Sequence, residues 1–140
     1  AATYGHIEVI HWLITRDPPI PLNAWVCYHA AGNGQLSTLQ WLRGLVPPCP
    51  WQEFVCMNAA YYGHVEVLQW LRSQDPACPW SPECCSCAAA NNQLVVLKWL
   101  RSQDPSCHWD VGACTAAAMQ GNIEVLQWLR GQTPPCPWNK

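Results

Sequence analysis

Charge is scarce in this chain: only 11% of its 140 residues are Asp, Glu, Lys or Arg. Seven basic residues face nine acids for a net charge of −2, so there is no basic face to neutralise phosphates and nucleic acid is a poor partner. Long apolar runs are lacking too. No window approaches the roughly 18 consecutive apolar residues of a membrane helix, so no membrane partner is expected. Residues Ala1-Ala2-Thr3-Tyr4-Gly5 carry neither a basic region nor an apolar leader. Asn-x-Ser/Thr glycosylation acceptors do not occur. These absences favour a soluble, intracellular chain, with the cytoplasm as the expected location. A Gly-rich phosphate loop, a Gly-x-Ser-x-Gly elbow and a paired-carboxylate pocket are also missing. Neither catalysis nor a cofactor is therefore expected.

What is present is a half-hydrophobic composition with 10 Trp, 10 Cys and 13 Pro, which argues for an ordered chain. These residues recur at a fixed interval. Trp-Leu pairs begin at Trp12, Trp41, Trp70, Trp99 and Trp128, each step being 29 residues. A second series, Trp51, Trp80, Trp109 and Trp138, keeps the same step, with Leu22 in its place in the first unit. Ala1-Ala2, Ala30-Ala31, Ala59-Ala60, Ala88-Ala89 and Ala117-Ala118 share this phase. So do Cys27, Cys56, Cys85 and Cys114, and a second ladder of Cys49, Cys78, Cys107 and Cys136. A fixed period of this size marks a repeat architecture. The units are a partial first copy at 1–22, full copies at 23–51, 52–80, 81–109 and 110–138, and the start of another at 139–140. Neither end has a polar capping unit, so the chain is expected to be a slice of a longer array.

Each unit reads as two short helices. The first opens after the second Trp, where Asn23, Ser81, Asp110 and Asn139 are good N-caps and Gln52 a weak one. Pro82 suits the first helical position. Cys85, Ala88 and Ala89 fall on one helix face, small enough to admit a neighbouring backbone. Gly5, Gly34, Gly63 and Gly121 suit a left-handed residue past the helix end, and Asn92 takes that place in the fourth unit. The second helix follows at once, as in His64-Val65-Glu66-Val67-Leu68-Gln69-Trp70-Leu71-Arg72. Glu66 and Arg72 match the helix dipole. Val65, Val67, Leu68, Trp70 and Leu71 cover over half its circumference, which predicts a helix sandwiched between neighbours. Asp75-Pro76 ends it, and the Pro-rich linker to Trp80 predicts an extended loop rather than a paired strand. Burying one Trp is worth roughly 4–6 kcal/mol as an upper bound, so both Trp series are expected to pack the core and the loops.

The segment Ala59-Ala60-Tyr61-Tyr62-Gly63-His64-Val65-Glu66-Val67-Leu68 resembles the ankyrin repeat signature of paired alanines, a glycine turn and a His-x-Glu-Val start to the outer helix. Ala1 to Ile10 and Gly121 to Leu126 repeat it with small changes, and Cys27-Tyr28-His29-Ala30-Ala31 stands where the family has its inner-helix segment. The period of 29 is shorter than the family's roughly 33, and a Pro-Cys-Pro-Trp-like linker replaces its hairpin. In this it is similar to Trp- and Cys-rich short variants in protist and giant-virus arrays. The resemblance implies an all-α, ankyrin-like solenoid, a right-handed stack of antiparallel helix pairs joined by extended Pro-rich linkers. It also implies protein–protein recognition through the inner helices and no common catalytic activity.

His-x-Glu at His6/Glu8 and His64/Glu66 lacks the downstream Pro-Cys-x-x-Cys that a zinc deaminase would add. Structural zinc would want Cys-x(2–4)-Cys twice, and the dense cluster is Cys84-Cys85-Ser86-Cys87 alone. No metal is expected. Cysteines of one ladder lie too far apart to bridge across stacked helices, whereas Cys49 and Cys56 could approach. Reduced thiols are the expectation.

Comparison between units places variation on the first helix, opposite Cys27, Ala30 and Ala31. That face presents Trp25, Tyr28 and His29; then Phe54, Met57, Asn58, Tyr61 and Tyr62; then Glu83, Ser86 and Cys87; then Thr115, Met119 and Gln120. The aromatics of the first two full units either mark a partner site, as exposed Trp and Tyr often do, or pack on one another. A module binding a protein or peptide, monomeric within a longer chain, is the leading expectation. The alternative is a structural spacer without a dedicated site.

Overall fold

A computed structural model describes residues 7–17, 21–103 and 109–132, and the described chain is all-helical, with nine helices and no strand. The first helices of the units are α2 (Ala24–Gly32), α4 (Glu53–Tyr61), α6 (Glu83–Ala90) and α8 (Val111–Met119). The second helices are α1 (Ile7–Thr15), α3 (Leu36–Arg43), α5 (Val65–Ser73), α7 (Leu94–Ser102) and α9 (Ile123–Arg130). Ala1-Ala2, Gly5, His6, Cys107, Cys136, Trp138 and Asn139 lie outside the described residues. Among the described residues no helix is long and apolar enough to cross a membrane.

The turn between the two helices of a unit takes one form throughout. Gly34, Gly63 and Gly121 have φ of 67°, 80° and 70°, and Asn92 has 58°, the left-handed residue that the spacing predicts. The amide after each one closes back onto the helix: Gln35 to the Ala30 carbonyl at 2.9 Å, His64 to Ala59 at 2.9 Å, Gln93 to Ala88 at 2.8 Å and Asn122 to Ala117 at 2.8 Å. With the bonds from Gly34 to Ala31 at 3.2 Å and Gly63 to Ala60 at 3.3 Å, this is the Schellman arrangement, and it satisfies carbonyls that a helix end otherwise leaves open.

N-terminal capping is less uniform. Asn23 accepts from the Trp25 amide at 3.1 Å and Asp110 from Gly112 at 2.8 Å, as expected. Gln52 makes no capping bond. Ser81 differs from expectation: Pro82 stands at the cap of α6 with helical angles (φ −54°, ψ −25°), and the Ser81 side chain turns to Glu83 instead.

The core follows from size. Leu39, Leu42, Leu68, Leu71, Leu97, Leu100 and Leu129 of the second helices are buried against Cys27, Cys56, Cys85, Cys114 and the alanine pairs of the first. Each first helix packs on the next, α2 on α4, α4 on α6 and α6 on α8, and each packs on the second helix of its own unit. Alanine and cysteine leave little bulk between these backbones, and that allows the contact.

The two tryptophan series pack on the core and the loops as expected, except at Trp12. Trp41, Trp51, Trp70, Trp80, Trp99, Trp109 and Trp128 are half-buried against the core, while Trp12 is 60% exposed and Trp25, of neither series, is 56% exposed on the variable face. An indole does not fit between helices whose facing residues are Ala and Cys. It sits instead where the linker meets the second helix, and the rings pair edge to face: Trp51 with Trp70 at 5.9 Å, Trp80 with Trp99 at 6.1 Å and Trp109 with Trp128 at 6.0 Å. Val65 and Trp70 share this half-buried position, so α5 buries only Val67, Leu68 and Leu71 fully. The linkers at 44–52 and 74–81 contain neither helix nor strand, and Val46–Pro47 and Asp75–Pro76 are cis.

Candidate functional site

Two helices build the aromatic face. On α2, Trp25 and Tyr28 meet edge to face at 5.0 Å, and Tyr28 meets His29 the same way at 5.2 Å. Phe54, at the start of α4, stacks on Trp25 at 5.2 Å and stands edge-on to Tyr28 at 5.6 Å. At the other end of α4, Tyr61 and Tyr62 form an edge-to-face pair at 4.9 Å. The rings therefore pack on one another and remain open to solvent as well, with Trp25 and Tyr62 more than half exposed. A groove of about 300 Å³ runs beside them, lined by Tyr28 of α2, by Phe54, Met57, Asn58 and Tyr61 of α4 with Tyr62 beyond it, and by Cys87 of α6.

Asn58 corrects the expectation of an exposed side chain. It is only 8% exposed, and its Nδ2 donates to the Tyr28 carbonyl oxygen at 2.9 Å. Gly32 makes room for it: a Cβ there would come within 2.0 Å of that nitrogen. A reach of similar span starts from another place in the repeat, where Asn91 Nδ2 donates to the Tyr61 carbonyl at 2.9 Å. Residues at the start of the second helices also reach back by a unit. His64 Nε2 lies 3.0 Å from the Gly32 carbonyl oxygen, and Asn122 Nδ2 donates to Ala89 at 2.7 Å and to Ala90 at 3.1 Å. The His-x-Glu histidine thus has a physical role, satisfying the end of the preceding first helix.

The remaining predicted positions separate into two groups. Glu83 is exposed on α6, one turn before Cys87. The Ser81 hydroxyl, followed by the Glu83 amide, holds its carboxyl below the ordinary range, and its charge adds to burial in pushing the Cys87 thiol up. Ser86 is half-buried beside Gly112. Thr115 and Met119 are exposed on α8, where Thr115 Oγ1 donates to the Val111 carbonyl, and neither lines the groove. Gln120 caps α8 and is exposed.

Two arrangements escaped the sequence reading. Arg43, Arg72 and Arg101 lie over the rings of Trp51, Trp80 and Trp109 at 3.8, 4.1 and 4.1 Å from the ring centres. Arg43 and Arg72 also donate from Nη1 to the Cys49 and Cys78 carbonyls at 2.5 and 2.6 Å, pinning the linker. The available signal was the constant eight-residue step from each Arg to its Trp. The second arrangement concerns thiols. Cys49 sits beside Cys27 rather than pairing with Cys56, and Cys56 sits beside Cys78. A hydrogen bond to Cys49, then burial, pushes the Cys27 thiol far up, whereas that bond and the Arg43 charge draw Cys49 down. Cys49 and Cys78 pass the chain on to the Asn23 and Gln52 carbonyls, both at 3.6 Å. Among the described residues no three His, Cys, Asp or Glu side chains gather as a metal site would require.

Compared with family models and with curated proteins, the sequence matches none of them.

Proposed function

We propose that this chain is a protein-recognition module of ankyrin-like architecture, a solenoid of helix pairs that binds a protein or peptide through the variable face of its first helices. One observation carries the reading: Tyr28, Phe54, Tyr61 and Tyr62 line an open groove, Trp25 stacks on Phe54 beside it, and Trp25 and Tyr62 are more than half exposed. The corresponding positions of α8 hold Gly112, Thr115 and Met119, so the packing of first helices does not require rings there. Aromatic side chains dominate binding hot spots because they bury large area with few rotatable bonds. The repeat period, the paired alanines and the row of mutually packed first helices support the ankyrin-like arrangement. The module acts without catalysis, metal or cofactor, as one chain, in the intracellular space.

Selection of a displayed peptide library on the parent protein tests this. The triple variant Trp25→Ala, Phe54→Ala, Tyr61→Ala is expected to keep the parent's helical circular dichroism and to lose the selected peptides. A folded triple variant that retains them refutes the recognition face.

A further inference from the structure

We infer that the groove beside α2 and α4 receives an arginine side chain of the partner, an inference that rests on the recognition reading above and narrows it. The charge distribution points this way. Among the described residues no Lys or Arg lies on a first helix, whereas Glu53 and Glu83 stand exposed in the first turns of α4 and α6. Glu53 precedes the groove residue Met57 by one helical turn, and Glu83 precedes Cys87 in the same way. The Glu83 charge adds to burial in raising the Cys87 thiol, in keeping with that one-turn separation. An aromatic groove with a carboxylate one helical turn from its wall, and no Lys or Arg among its lining residues, suits a positive guest. An acidic or phosphorylated segment would meet repulsion from Glu83, and a wholly apolar one would gain nothing from that charge.

Acceptors complete the fit. The Asn58 amide nitrogen is committed to the Tyr28 carbonyl, so the side-chain oxygen is the atom of that group left to accept. Guanidinium prefers flat rings with hydrogen-bond acceptors at its rim. The protein uses this pairing three times within its own chain, with Arg43, Arg72 and Arg101 laid on tryptophan rings.

The probe is the peptide acetyl-Gly-Gly-Arg-Gly-Gly-amide, titrated into the isotope-labelled protein and followed by aromatic and methyl NMR signals. Its counterpart carries citrulline, which has nearly the same shape without the charge. The arginine peptide is expected to shift signals of Tyr28, Phe54, Met57, Tyr61 and Tyr62, and citrulline is expected to bind roughly fivefold more weakly. Glu83→Gln, an exposed position with helical circular dichroism as the check on folding, is expected to weaken the arginine peptide and reduce its salt dependence. Replacing arginine by lysine is expected to weaken binding through loss of ring stacking. Equal shifts from the citrulline peptide, no shift from the arginine peptide, or no effect of Glu83→Gln each overturns the inference. None of these outcomes touches the library test of the recognition face, so the two readings fail separately.

Discussion

In the described linkers 44–52 and 74–81 one arginine side chain reaches across to the chain that follows its helix. Arg72 ends the second helix of its unit, where a positive charge already suits the dipole. Its position over Trp80 and its bond to the Cys78 carbonyl show that it also fastens the Pro-Cys-Pro-Trp segment. A charged hydrogen bond and a cation–π contact together predict that Arg72→Gln destabilises the fold by about 2 kcal/mol. Urea unfolding checks this, and a loss indistinguishable from zero would show that the linker holds itself. The pattern of Arg eight residues before Trp was legible in the sequence, but its meaning was not. Dipole and clamp both place Arg at the helix end, and only the path of the linker separates them. Asn58 illustrates the opposite case. The helical wheel assigned its direction, yet the absence of a side chain at Gly32 on the neighbouring helix let it bury and reach the Tyr28 carbonyl.

Elements here are short, at eight or nine residues each, below the length at which isolated helices persist in water. Their stability comes from contacts between elements. The paired alanines are the means, since they bring first helices close enough for Asn58, His64, Asn91 and Asn122 to bond across units. Ala89, fully buried in α6 between α4 and α8, has no room for a larger side chain. Ala89→Leu is accordingly expected to cost at least about 1–3 kcal/mol through overpacking, despite leucine's good helix propensity. Differential scanning calorimetry measures it, and an unchanged midpoint would contradict close approach of the first helices. The left-handed turns were readable residue by residue, because only Gly and Asn adopt that backbone readily. The tryptophans were readable as packing on the core and the loops, but not in how deeply they enter. Periodicity placed them on the apolar side, but an indole at the edge of a helix face packs beside the core when the centre is lined with small residues.

At the scale of the molecule, buried thiols tie stability to pH. Cys27, Cys56 and Cys87 are all pushed upward, by hydrogen bonding and burial for the first two and chiefly by burial for Cys87, while Cys49 is drawn down. A thiol whose folded pKa is raised keeps its proton where the unfolded chain, with a pKa of about 8.5, has released it. Stability therefore holds below that value and falls as pH climbs above it. Under reducing conditions the urea midpoint is expected to be lower at about pH 10 than near neutrality, and Cys56→Ala is expected to narrow the difference. Equal midpoints at the two pH values would mean that these thiols ionise freely in the fold.

By itself the sequence determined the helical class, the 29-residue period, the left-handed turns and the residues that vary between units. All of these are local or periodic properties carried by neighbouring residues and by a constant step of 29. Tertiary structure alone decided which thiols adjoin, where the tryptophans sit, that arginine clamps the linker, and that aromatics from two helices share one groove. Those outcomes depend on the distance between chain segments about 30 residues apart, as with Asn58 and Tyr28. The small side chains between the helices set that distance.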